Sequence, residues 1–160
     1  MPVPRPSTEF TFVAPNGTQT LLSSFKGKVV VIQFLSTTCP HCQALSKVLN
    51  KMSSDMGPGV QFIGVAFNEA TPAMAEAYAR SEAVRIPIDY APHETVLGYL
   101  GYSIMERLTV PQMVIIDKKG IIRAQSEPMG TEELSSEPYL RKLITGLMAE
   151  GSGAAPAKSK

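Results

Sequence analysis

The stretch Val29-Val30-Val31-Ile32-Gln33-Phe34-Leu35 constrains this chain more than any other. It is β-branched, nearly apolar and without the alternation of a strand that has one wet face, so both of its faces must be covered. Val60 to Phe67 reads the same way. Between the two, Ala44, Leu45, Val48, Leu49 and Met52 recur at helical spacing, and Gly57-Pro58-Gly59 stops that helix. Thr71-Pro72 caps and begins another helix running to about Ala83. Residues 84 to 90 predict a short edge strand, because Pro87 has no N–H for a ladder. A short helix from Glu94 to Leu100 follows, then Met113 to Asp117 and Ile121 to Gln125 as a hairpin around Lys118-Lys119-Gly120. The last helix, Pro138 to Glu150, places Leu140, Leu143, Ile144 and Leu147 on one face. Upstream, Glu9 to Val13 and Thr18 to Leu22 pair as a hairpin across Asn16-Gly17. The order of elements predicts an α/β layer with a mixed sheet.

At 160 residues the chain suits one domain with a substantial core. Residues 1–7, rich in proline, read as an extended lead-in; 8–150 form the domain; 151–160, small and polar, read as a flexible tail. Fifteen Lys and Arg against 14 Asp and Glu leave a net charge of +1. That balance provides no concentrated positive field for nucleic acid or for an anionic membrane surface. No apolar run approaches the ~20 residues that cross a bilayer. Met1-Pro2-Val3-Pro4-Arg5-Pro6 lacks the charged, apolar and cleavage regions of a signal peptide, so these residues are expected to form a soluble domain, with any signal or anchor segment lying outside them.

The 2 cysteines stand together in Cys39-Pro40-His41-Cys42. A pair this close encloses almost no loop, so its entropic effect on stability is small and its value is chemical. The motif lies where a buried strand gives way to a helix, with Pro40 as the first helical residue. Cys39 is therefore expected at the positive end of the helix dipole, where a thiolate is stabilised, and thiolates are the nucleophiles of disulfide exchange. Cys42, one turn further in, is more shielded and suited to resolve a mixed disulfide. His41, as a cation or hydrogen-bond donor beside Cys39, is expected to favour the thiolate and raise the reduction potential. Pro40 and His41 are thus the potential-tuning residues.

Two segments carry a resemblance to a known family. Glu9-Phe10, Asn16-Gly17, Leu21 and Phe25-Lys26-Gly27-Lys28-Val29-Val30-Val31, followed by Phe34 and the cysteine pair, resemble the TlpA/ResA thioredoxin-like family. So does Thr109-Val110-Pro111-Gln112-Met113-Val114-Ile115-Ile116-Asp117 with Gly120 and Ile122. The Cys-Pro-His-Cys motif and Val110 before Pro111 are similar to DsbA-type oxidases, whose large helical insertion is absent. The resemblance implies a thioredoxin-like α/β fold: a central mixed sheet flanked by helices on both faces, with an N-terminal β-hairpin. It implies a thiol–disulfide oxidoreductase that works outside the cytoplasm, in the periplasm or an equivalent compartment. Its substrates would be protein thiols and disulfides, with a separate redox partner protein, and it would act as a monomer. It also implies that Pro111 is cis and that Val110, Pro111 and Thr38 border the substrate groove. Thr38 stands where the family usually has an aromatic residue. Gln33 occupies the place of thioredoxin's buried Asp, a possible proton-relay position. No cofactor is expected beyond the redox-active Cys39–Cys42 disulfide. The oxidant or isomerase direction is favoured over the reductant.

Two other classes compete. A peroxiredoxin-like thiol peroxidase needs Pro-x-x-x-Thr/Ser-x-x-Cys; Ser36 fits, but Ile32 stands where the proline belongs. A metal-binding thioredoxin-like module would need ligands beyond the pair, and only His41 and His93 are candidates, so no metal site is expected. His93 itself reads as a solvated loop or cap residue ahead of Glu94.

Overall fold

The computed structural model describes residues 2–68 and 72–151. Thr71, expected to cap a helix, and the expected tail from 152 onward lie outside the described residues. Eight strands form one sheet in the order β1-β8-β7-β4-β5-β6-β2-β3. They are β1 (Arg5–Pro6), β2 (Thr11–Val13), β3 (Gln19–Leu21), β4 (Val29–Leu35), β5 (Val60–Ala66), β6 (Ile88–Tyr90), β7 (Gln112–Ile116) and β8 (Ile121–Gln125). The helices are α1 (Pro40–Met56), α2 (Pro72–Ser81), α3 (His93–Leu100) and α4 (Glu137–Ala149).

The apolar run becomes the central strand. All seven residues of β4 are buried, between β5, which runs parallel to it, and β7, which runs antiparallel. Alternation across the pleat then divides the core in two. Val29, Val31 and Leu35 face Leu45, Leu49 and Met52 of α1, Ala75 and Tyr78 of α2, and Leu140, Ile144 and Leu147 of α4. Val30, Ile32 and Phe34 face Val96, Tyr99 and Leu100 of α3, together with Phe10 and Phe12. Phe10, Phe34 and Tyr99 meet edge to face or tilted, with ring centroids 5.1 to 6.0 Å apart. The fold is thioredoxin-like, with helices on both faces of a mixed sheet.

Three local expectations are corrected. The segment with Pro87 does not form an edge: β6 begins at Ile88 and lies between β5 and β2. Pro87 stands just outside it, where its missing N–H costs nothing, and its carbonyl accepts Gly64 N–H at 2.9 Å. Arg5–Pro6, within the extended lead-in, supplies the edge instead by pairing with Ile121 and Ile122. The N-terminal hairpin forms as expected, its turn Ala14-Pro15-Asn16-Gly17 closed by Gly17 N–H on Ala14 O at 2.8 Å. Proline at the second position and glycine at the fourth suit that turn. Finally, Ala44 is exposed, one position off the buried stripe of α1.

One close approach demands glycine. A Cβ on Gly64 would stand 2.7 Å from Ile88 Cδ1 and 3.1 Å from Leu35 Cδ2. Nearby on β6, Asp89 is only 8% exposed, and no described residue donates a hydrogen bond to its carboxylate. Burial alone pushes that carboxyl up from 3.8 to about 6.

Candidate active site

β4 delivers the chain to the cysteine pair at the end of the sheet. Ser36, Thr37 and Thr38 turn it, Cys39 N–H bonding Ser36 O at 3.2 Å. Cys39 is the N-cap of α1 and Pro40 occupies the first turn, as the sequence predicts. The cap is made by sulfur: Cys42 N–H donates to Cys39 Sγ at 3.2 Å. A sulfur placed there faces otherwise unpaired N–H groups and the positive end of the dipole.

The two thiols differ sharply. Cys39 is half-buried and Cys42 fully buried, both as unlinked thiols. Burial, with Cys39 beside it, pushes the Cys42 thiol well above the ordinary cysteine range. One sulfur is therefore presented to a partner while the other is withheld from it.

On the opposite wall stands Val110, whose peptide bond to Pro111 is cis. Its carbonyl oxygen lies 3.8 Å from Cys39 Sγ. Among the described residues its N–H donates to no partner. The structure thus brings Val110 and Pro111 to the cysteine pair. Behind them Gln112, fully buried, ties the loop down, its Nε2 facing the carbonyls of Thr109, Glu127 and Pro128 at 2.9, 3.0 and 3.2 Å. Its Oε1 is buried with no partner among the described residues.

His41 is exposed in the first turn of α1 and makes no hydrogen bond to Cys39. Any influence it has on the pair acts through space. Thr38 is exposed, with its hydroxyl 3.3 Å from that of Ser36. Both residues border an open cleft of about 1040 Å³ that Phe67, Asn68, Tyr90 and His93 also line. His93 is the first residue of α3, directly after the N-cap position Pro92; it is exposed, as expected, and its ring stacks on Phe67 at 5.5 Å between centroids. No three His, Cys, Asp or Glu side chains among the described residues cluster closely enough to hold a metal ion.

Gln33 lies beneath the pair with both ends of its amide satisfied. Nε2 donates to Cys42 O at 3.0 Å, and Oε1 accepts from the Ser46 hydroxyl at 2.7 Å. Ser46 in turn meets Tyr78 of α2 at 2.8 Å. Sequence reasoning passed over Ser46 and Tyr78. A serine four residues after Cys42, inside an apolar stripe, is the one signal that pointed there.

The chain matches the Redoxin family model over residues 2–144. A search among curated protein sequences returns no significant match. Among solved structures it is similar to one provisionally described as a protein disulfide isomerase from Bacteroides thetaiotaomicron, with TM-score 0.75 and 23% identity over 94% of this chain and 92% of that one. It is also similar to a thiol:disulfide interchange protein of the thioredoxin family from Chlorobium tepidum TLS, with TM-score 0.70 and 21% identity over 93% and 99% of the two chains. A third is the thioredoxin domain of a thiol–disulfide oxidoreductase from Bacteroides vulgatus, with TM-score 0.69 and 16% identity over 90% and 99%. With a match that spans most of its length, and with two cysteines at the mouth of a thioredoxin fold, the chain belongs to the Redoxin family.

Proposed function

We propose that the protein is a thiol–disulfide oxidoreductase acting on protein substrates, with Cys39 as nucleophile and Cys42 as resolving thiol. The observation that carries this reading is the asymmetry of the pair: a half-buried sulfur at the helix start, and a buried one a turn further on. In the reducing direction, Cys39 attacks a substrate disulfide and one substrate sulfur leaves with the electron pair. Cys42 then gives up its proton, attacks Cys39 Sγ and expels the second substrate sulfur. The protein loses two electrons and the substrate gains them; the oxidising direction is the reverse.

The cleft wall supports a role for extended substrates. Val110 offers a backbone N–H that no described residue accepts, the group that pairs an added strand, while Pro111 and Thr38 border Cys39. Gln33 keeps a neutral amide where a carboxylate would take up a proton, so it serves this site by holding Cys42. The Pro40-His41 dipeptide favours the oxidant or isomerase direction. Action as a monomer outside the cytoplasm, with a separate redox partner protein, follows from the resemblance to the TlpA/ResA family. No helix among the described residues is long and apolar enough to cross a membrane.

The test is trapping. Cys42→Ser is expected to accumulate mixed disulfides with substrate proteins through Cys39, and Cys39→Ser to accumulate none. Equal trapping through either cysteine contradicts the assignment of roles.

A further inference from the structure

Three hydrogen bonds beneath the cysteine pair run in one direction. A carbonyl oxygen only accepts, so the Gln33 atom facing Cys42 O at 3.0 Å is Nε2, which leaves Oε1 for Ser46. Ser46 has one hydroxyl proton and gives it to that Oε1 at 2.7 Å. Tyr78, 2.8 Å away, therefore donates to Ser46 Oγ. The chain Tyr78 to Ser46 to Gln33 to Cys42 joins α2, α1 and β4. Tyr78 is 3% exposed and the other three are fully buried. Burial also pushes the Tyr78 hydroxyl up to about 12, so it stays protonated, and a donor, in the neutral range.

We propose that Tyr78, acting through Ser46 and Gln33, is a positioning residue for the resolving cysteine, an inference that rests on the exchange reading above. In the dithiol form residue 42 is gripped from two sides: its N–H by Cys39 Sγ and its carbonyl by Gln33. Cys39 attacks as the thiolate, a strong acceptor for that N–H, whereas the same sulfur in a disulfide is a weak one. Once Cys39 enters a mixed disulfide, the first grip slackens. The bond from Gln33 then holds Cys42 in the intermediate it must resolve, where its sulfur has to line up with Cys39 Sγ and the leaving sulfur. Small misplacements of reacting atoms are expensive in rate. In that step Cys42 releases its proton to solvent, its sulfur bonds Cys39 Sγ, and the mixed disulfide breaks with the electron pair on the partner sulfur.

The experiment mixes reduced protein with excess nitrobenzoate disulfide, whose released thiolate is coloured, and follows release by stopped flow. The first equivalent reports attack by Cys39 and the second reports resolution by Cys42. Tyr78→Phe, which keeps the ring and removes only the hydroxyl, is expected to slow the second phase about five- to tenfold, the kinetic worth of one hydrogen bond, and to leave the first unchanged. Ser46→Ala is expected to do the same, and the double variant to be no slower than either, because all three interrupt one chain. If Tyr78→Phe does not fold, Ser46→Ala carries the test. Equal slowing of both phases, or of neither, overturns the proposal. A second phase that persists in Cys42→Ser would instead overturn the exchange reading beneath it.

Discussion

Asp89→Asn is expected to stabilise this protein, and to do so only above a definite pH. Asp89 is 8% exposed on β6 and no described residue bonds its carboxylate, so folding takes a charge out of water and returns nothing. Its carboxyl titrates at about 6 in the folded protein against an ordinary 3.8. The sign follows from linkage. Between those values the folded state binds more protons than the unfolded one, so stability falls as pH rises through that window and is level above it. At about 1.4 kcal/mol per unit, the full loss is about 3 kcal/mol. Residual contact with water reduces this, and about 1 to 3 kcal/mol is expected. Asparagine has the same shape and no charge. Its advantage over the wild type should therefore be absent near pH 4 and complete by about pH 7. The assay is urea unfolding of both proteins across that range, read as the midpoint with the slope checked for constancy. A stability difference between the two that does not change with pH refutes the reasoning, because it would place the effect in packing or in the unfolded chain.

Other perturbations probe the site and its support. His41→Gly is expected to lower the reduction potential of the pair, measured in glutathione buffers, from a wild-type value above the ~−270 mV of thioredoxin; an unchanged potential would remove the dipeptide from control. Gly64→Ala is expected to cost about 1 to 2 kcal/mol in unfolding experiments, because its Cβ would meet Ile88 at 2.7 Å and the isoleucine tip must rotate away. Gln112→Leu would take away the side-chain donor that the Thr109, Glu127 and Pro128 carbonyls share. It is expected to destabilise by about 2 kcal/mol and to weaken substrate trapping in the Cys42→Ser background.

What the sequence revealed and what it concealed divides by distance along the chain. Val29–Leu35 was readable as the central strand because every residue in it answers to the same demand, burial on both faces. Cys39 and Pro40 were readable as cap and first turn because capping is decided within four residues. Pro87 misled because proline forbids only its own N–H; that β2 arrives beside β6, with Val13 opposite Tyr90, depends on a contact more than 70 positions away. Ala44 misled because alanine fits a buried or an exposed helix face equally well. Tyr78 stayed hidden for a related reason. Its hydroxyl meets Ser46 across 32 positions, and nothing local distinguishes it from any other core tyrosine. The adjacency of Val110 to Cys39 spans 71 positions and came from the family resemblance rather than from local chemistry.

The margins of the sheet have a consequence for life in a crowded solution. One margin is β1, two residues long and ending in a proline; the other is β3, three residues long. Neither presents enough free N–H and C=O groups in a row to template a neighbour's strand, the route by which sheets grow into aggregates. Arg5 and Pro6 thus act as a guard over β8, whose Ile121–Gln125 backbone is five residues long. Trimming the chain back past Pro6 would leave the catalytic end untouched while uncovering that strand, and the shortened protein should be lost to association sooner than to unfolding.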